Sequence, residues 1–327
     1  MRLFFVAVLV TCLGAFGLGY RWLNQSFDLP TPTVDLSIGP GASAREIALA
    51  VAEAGVPVNS TLLHWWFRLS GDSRKIKAGS YELDPNTTPL SLLHKLVQGE
   101  EALRSVTLVE GWTFRQVRGA LKNAEYLKPQ SQDLSDRAIM EQLGKAEVHP
   151  EGRFFPDTYT YSKGSSDIAV LQRAMRAMDK KLSAAWAQRA PQTPLQSPEQ
   201  ALVLASIIEK ETGRITDRPL IGAVFSNRLR IGMRLQTDPT VIYGLGESFD
   251  GNLRKIDLQT DTPWNTYTRS GLPLSPISMP GMAALLAAVQ PVQSKALYFV
   301  AKGDGTSQFS ATLDEHNRAV NKYQRGK

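Results

Sequence analysis

Two carboxylates, Glu209 and Glu211, close an unbroken apolar run from Ala201 to Ile208 in which Ser206 is the one polar residue. Ser197-Pro198-Glu199-Gln200 predicts the start of that helix, with a capping serine, proline in the first turn and glutamine at the third position. A helix that is apolar on all sides is a buried one. A carboxylate appended to it is partly desolvated, and desolvation raises its pKa toward the range that a general acid needs near neutral pH. In the competing arrangement both glutamates sit in a solvated last turn and pair with Lys210 or Arg214. Glu209 and Glu211 lie about 200° apart around a helix, both have apolar neighbours one turn back, and periodicity does not choose between them.

Downstream of this helix the chain carries amides, hydroxyls and aromatic rings in short blocks. A helix with Phe225 and Leu229 presents Asn227 and Arg228 and closes at Gly232. Met233 to Pro239 reads as an extended polar segment, and Trp264-Asn265-Thr266-Tyr267 precedes a Pro/Gly-rich stretch from Gly271 to Gly281. Prolines and glycines hold such a stretch in fixed turns that can line a groove. Aromatic rings beside amides and hydroxyls suit sugars, which have apolar faces and polar rims. The same blocks also fit a loop-rich core closed by prolines. No metal or cofactor is expected: Cys12 is the single cysteine, and His64, His94, His149 and His316 show no ligand spacing.

The elements that must hold these residues form an α+β chain. Val34 to Ile38 alternates as a strand, Ser43 and Glu46 form a capping box, and Thr61 to Leu69 is a second helix. Ala78 to Leu83 is extended, and a helix from Pro89 to Gln98 stops at Gly99. Beyond it, Val106 to Val109 is a short strand, Glu110-Gly111-Trp112-Thr113 leads into a helix from Phe114, and Glu151 to Tyr161 is an aromatic-rich extended segment. Leu171, Met175, Met178 and Leu182 mark one face of a long amphipathic helix. The expected organisation is an anchor over 1–23, a linker over 24–33, a small α+β subdomain over 34–103 and a larger α+β domain over 104–327.

The 327 residues include 37 Lys+Arg against 31 Asp+Glu, a formal charge of +6 spread without a long basic run. That balance suits an anionic polymer or surface and argues against nucleic acid as the partner. Leu3 to Tyr20 is uncharged and just meets the span of about 20 apolar residues that a bilayer requires. Arg21 and Trp22 follow where an interfacial anchor belongs. The run is long for the apolar part of a signal peptide, and no small-x-small site follows it. An uncleaved single-pass anchor is therefore expected, with a two-residue cytoplasmic tip and the body outside, in the periplasm where the cell has one.

Taken together, Ile208-Glu209-Lys210-Glu211-Thr212, Asn227-Arg228-Leu229, Leu235-Gln236-Thr237-Asp238-Pro239-Thr240-Val241, Tyr243-Gly244, Asn265-Thr266-Tyr267 and Gly271-Leu272-Pro273 with Pro276-Ile277 resemble the YceG-like endolytic murein transglycosylase family. Glu110-Gly111-Trp112, Phe155-Pro156-Asp157-Thr158-Tyr159, Leu297-Tyr298-Phe299-Val300, Phe309-Ser310 and Glu315-His316-Asn317 fit the same pattern, which covers about residues 34 to 324. The resemblance implies a LysM-like subdomain near 34–103, an enzyme of the inner membrane with a periplasmic body, and nascent peptidoglycan glycan strands as substrate. Peptidoglycan synthases of the penicillin-binding class are the partners it implies. It puts the catalytic glutamate at Glu209. It also implies cleavage of the β-1,4 bond between N-acetylmuramic acid and N-acetylglucosamine, leaving a 1,6-anhydro end. Asn227, Gln236, Asp238, Tyr243, Asn265 and Tyr267 are then the expected groove residues, holding acetamido and hydroxyl groups, with Asp238 alternatively a cap for the Pro239 turn. A hydrolytic muramidase, with Glu211 or Asp238 as second carboxylate, and a non-catalytic glycan-binding scaffold are the competing functions.

Overall fold

The computed structural model describes residues 1–326; the side chains of Arg2, Leu3, Phe5, Ala7 and Cys12, the last singled out in the apolar run, lie outside the described residues. Arg2–Leu23 form one 22-residue helix, α1. Its described side chains, among them Leu9, Leu13, Phe16 and Leu18, are exposed. Among the described residues no helix is long and apolar enough to cross a membrane. Four residues inside the Leu3–Tyr20 run are among the undescribed side chains.

The chain divides into two compact units, 1–104 with 160–165, and 105–159 with 166 onward. In the first, Val34–Ile38 (β1), Ala44–Glu53 (α2), Ser60–Leu69 (α3), Gly79–Leu83 (β2) and Pro89–Gln98 (α4) follow α1. β1 and β2 are antiparallel, with Val34 opposite Leu83 and Ile38 opposite Gly79. Alternation turns Val34, Leu36 and Ile38 inward, onto Ile47 and Val51 of α2, Leu63 and Phe67 of α3, and Leu92 and Leu96 of α4. The helix ends are set by local chemistry. Ser43 and Glu46 make the expected capping box. Asn59 accepts the first free N–H groups of α3, and Gly99 ends α4 in the left-handed region at φ 74°.

Leu103–Thr107 (β3) and Thr158–Ser162 (β4) form a two-stranded sheet. The second unit adds Phe114–Lys122 (α5), Asp136–Gln142 (α6), Asp167–Ala187 (α7), Pro198–Glu211 (α8), Arg218–Arg230 (α9), Asp238–Leu245 (α10), Lys255–Gln259 (α11) and Met282–Val289 (α12). It closes with the antiparallel pair Tyr298–Ala301 (β5) and Ser307–Ser310 (β6), then Leu313–Tyr323 (α13). The segment that the sequence reads as extended from Met233 to Pro239 is helical from Asp238, because Pro239 in the first turn favours helix entry.

α8 is the axis of this unit, with every residue from Ala201 to Glu209 buried. Leu202, Ala205 and Ile208 share one core with Met178 and Leu182 of α7, Ile221 and Phe225 of α9, and Leu285 and Ala288 of α12. The predicted stripe on α7 is core. Where α9 meets α12 the backbones nearly touch: a Cβ at Gly222 would lie 2.3 Å from the Ala287 carbonyl oxygen, so only glycine fits. The Pro/Gly-rich stretch is strapped along α8. The Ile277 N–H donates to Ser206 Oγ at 3.0 Å, and Ser278 Oγ donates to the Ser206 carbonyl at 3.0 Å.

Candidate active site at the end of the buried helix

Because two residues turn a helix by about 200°, Glu209 and Glu211 leave α8 on different sides. Glu209 points inward, its side chain 3% exposed. Its Oε1 accepts from Arg218 Nη2 at 2.6 Å and its Oε2 from the Gly281 N–H at 2.9 Å. Arg218 is itself buried, reaches Glu110 Oε2 at 3.5 Å, and leaves Nε and Nη1 without a partner among the described residues. Gly281 is packed closely here, since a Cβ would fall 1.8 Å from Glu110 Oε1. Burial pushes the Glu209 carboxyl above its ordinary value, opposed by the Gly281 N–H and by Arg218. The neighbourhood is that of a buried ion pair closing the base of α12.

Glu211 points the other way, into a cleft of about 400 Å³. The cleft is lined on its polar side by Arg228, Gln236, Thr237, Asp238, Tyr267 and His316. Thr237 Oγ1 donates to Glu211 Oε1. Glu211 forms no ion pair with a described residue, and its Oε2 takes no hydrogen bond from one. Burial is the first cause that raises its pKa; the Thr237 hydroxyl lowers it, the Asp238 charge raises it and Arg228 lowers it. A half-buried carboxyl, oriented on one oxygen and open on the other, is able to give and then take a proton.

The supports of this cleft are built from backbone. Arg228 is anchored by donating from Nε to the Leu297 carbonyl and from Nη1 to the Leu235 carbonyl, both at 2.7 Å. Its guanidinium lies 5.3 Å from the centre of the Tyr298 ring. Tyr298 in turn stacks on His316 at 5.2 Å. Tyr267 Oη donates to Asp238 Oδ1 at 2.5 Å, which fixes the Asp238 carboxylate at the first residue of α10. Gln236 holds a left-handed backbone at φ 48°, and its N–H donates to the Thr266 carbonyl at 3.2 Å.

Of the expected groove residues, Gln236, Asp238 and Tyr267 thus meet beside Glu211, while Glu209 does not join them. Tyr243 lies across α10, in a separate cavity of about 700 Å³. There its hydroxyl donates to Glu151 Oε2 at 3.0 Å. Glu151 also accepts from the Phe114 N–H at 2.9 Å, and burial pushes its carboxyl up to about 7. Asn227 and Asn265 use their amides inside the fold. Asn227 Nδ2 donates to the Ser294 and Ala296 carbonyls, both at 2.9 Å. Asn265 is 1% exposed and donates to the carbonyls of Asp257, Leu258 and Thr260 while accepting from the Tyr267 N–H. An amide with this many backbone partners organises a loop, and a sugar would have to displace those bonds.

Thr237, Arg228, Tyr298 and His316 belong to the cleft without having been assigned to it from sequence. Their motifs, Leu235 to Val241, Asn227-Arg228-Leu229, Leu297 to Val300 and Glu315-His316-Asn317, were the available signal. Among the described residues no three His, Cys, Asp or Glu side chains gather as a metal site.

An α8-centred α+β unit carrying this cleft defines a class: residues 36–322 match the YceG-like family, and the chain belongs to it. Among its particular relatives is the endolytic murein transglycosylase of Bacillus subtilis (strain 168), 32% identical over 95% of this chain and 90% of that protein. The endolytic murein transglycosylase of Streptococcus pneumoniae serotype 2 is 27% identical over 96% of this chain and 63% of its own length. A crystal structure of a yceG-like protein from Listeria monocytogenes superposes with a TM-score of 0.56 at 31% identity, covering 88% of this chain and 98% of that one.

Proposed function

We propose that this chain is an endolytic murein lytic transglycosylase and that Glu211, in place of Glu209, is its proton-transferring carboxyl. The observation that carries the assignment is the contrast in access: Glu211 opens into the cleft, whereas Glu209 is sealed against Arg218 and the Gly281 N–H. Protonated Glu211 gives its proton to the oxygen linking N-acetylmuramic acid to N-acetylglucosamine, and the C1–O bond breaks. The positive charge left on the sugar is carried as an oxocarbenium-like centre or shared with its own N-acetyl oxygen, so no protein nucleophile is needed. The Glu211 carboxylate then takes the proton of the muramic acid C6 hydroxyl as that oxygen closes on C1. A 1,6-anhydro end results, no water is consumed, and Glu211 is protonated again. Gln236, Asp238 and Tyr267 hold the sugar's amide and hydroxyl groups.

α1 anchors the enzyme in the inner membrane with its body in the periplasm. In support, a 22-residue helix is about 33 Å long, against roughly 30 Å of bilayer hydrocarbon, and Arg21 and Trp22 stand at its end. The β1-α2-α3-β2 order supports a LysM-like reading of the first unit. Peptidoglycan synthases are the proposed partners.

Product analysis tests the reaction. Digestion of sacculi, followed by mass spectrometry, is expected to give anhydro ends with wild type and Glu209→Gln, and none with folded Glu211→Gln. Reducing ends in their place would indicate a muramidase that uses Asp238 to activate water. Sacculus binding with no product from the wild type would leave only a scaffold.

A further inference from the structure

The cavity across α10 from Glu211 is built for a ligand. Its walls are rings, Phe114, Tyr243, Phe249 and Trp264, with Thr113 and Gln116 at its polar rim. Tyr243 and Trp264 stand edge to face at 5.4 Å, and neither is free to rotate. The Tyr243 hydroxyl is held by Glu151, and the Trp264 indole N–H donates to Ser275 Oγ at 3.0 Å.

Arg115 and Asp136 at this cavity are already paired, and Lys210 is tied to backbone while keeping its charge. Arg115 pairs with Glu247 at 2.6 Å, Asp136 with Arg118 at 2.8 Å, and Lys210 Nζ donates to the Gly111 carbonyl at 3.2 Å. What remains for a ligand is rigid aromatic surface with hydroxyl and amide groups at its edge, which fits an uncharged polyhydroxylated ring better than a charged peptide. The cavity also adjoins the cleft through two pairs of neighbours in sequence. Lys210 lines one and Glu211 the other; Pro239 lines one and Asp238 the other. The partition is the start of α10, and a helix is only about 10 Å across, which is within the reach of two linked sugars.

We infer that the aromatic cavity beside α10 is a distal carbohydrate subsite that takes acetamido-sugar units of the same glycan strand whose scissile bond lies at Glu211. The inference rests on the functional reading above. A subsite there rewards strands that continue past the cleft, so long strands are preferred over short ones.

The probe is murein glycan, size-fractionated with and without its stem peptides, titrated calorimetrically into the full-length Glu211→Gln protein so that nothing is cleaved. Long strands are expected to bind at least about tenfold more tightly than a tetrasaccharide. Ile242→Trp, which fills the cavity, and Phe249→Ala, which removes a wall outside the main core, each bring the long-strand affinity down toward the tetrasaccharide value. The tetrasaccharide affinity itself stays unchanged, and melting curves establish that both variants are folded. An unchanged long-to-short ratio in both folded variants, or affinity that follows stem-peptide content and not strand length, overturns the subsite alone. If the folded parent binds no glycan of any length, the functional reading falls and the subsite with it.

Discussion

Glu209 and Glu211 are separated by one lysine, yet they end in opposite electrostatic settings. On the Glu209 side a carboxylate, a guanidinium and a backbone N–H are packed between α8 and the start of α12, and both carboxylate oxygens are taken. On the Glu211 side a carboxyl faces a cleft, a threonine holds one oxygen, and the charges that act on it are an aspartate and, more weakly, an arginine. Both pKa values are pushed up by burial. A raised pKa alone does not mark a catalytic group; access for the substrate separates the two.

The comparison breaks most decisively on activity. Glu211→Gln is expected to lose anhydro-end formation by roughly 10²–10⁴-fold with its melting temperature nearly unchanged, whereas Glu209→Gln keeps the same products. If the two variants exchange these results, the assignment is reversed. The second effect is on stability. Glu209→Ala leaves the buried Arg218 with only its longer contact to the half-exposed Glu110 and is expected to cost about 3 kcal/mol in urea unfolding. The double variant Glu209→Leu, Arg218→Met should recover most of that loss, because the two costs are not additive.

Glu151 sharpens the contrast from a third position. Its carboxyl rises from 4.5 to about 7 in the fold, so between these values the native state holds a proton that the unfolded chain has released. Stability from this group is full below about pH 4.5 and is lost as pH rises through 7, by about 3 kcal/mol at most. Glu151→Gln should flatten that slope in unfolding measurements from pH 5 to 8. The smallest effects are on the pH–rate profile, whose alkaline limb reports loss of the Glu211 proton. Asp238→Asn removes a charge that raises the Glu211 pKa and should move the limb to lower pH. Thr237→Val removes a hydrogen bond that lowers it and should move the limb the other way. No movement in either variant would show that Glu211 does not set the limb.

Much of the scaffold was legible in the sequence because it obeys short-range rules. The capping residues Ser43, Thr113 and Ser197, the left-handed stop at Gly99 and the apolar stripe on α7 act within one or two turns. The helix Asp238–Leu245 was not recognised, since Thr237-Asp238-Pro239 is equally at home in a turn. The site was harder for a different reason. Motifs name the residues near a cleft but not the side toward which each projects. Asn227, Asn265 and Glu209 belong to motifs as surely as Gln236 and Tyr267 do, yet long-range partners direct them inward: the Ser294 carbonyl, the Asp257 carbonyl and the Arg218 guanidinium. The choice between Glu209 and Glu211 is of this kind, because it depends on where Arg218 and Gly281 come to rest after folding.

Gly222 has a reach well beyond its size. With no side chain, it lets α9 sit directly on the Ala287 carbonyl near the far end of α12, while the N–H just before α12 holds Glu209. α12 therefore acts as a lever: a single methyl at position 222 would tilt it, and the displacement would be felt at the carboxylate about nine ångströms along its axis.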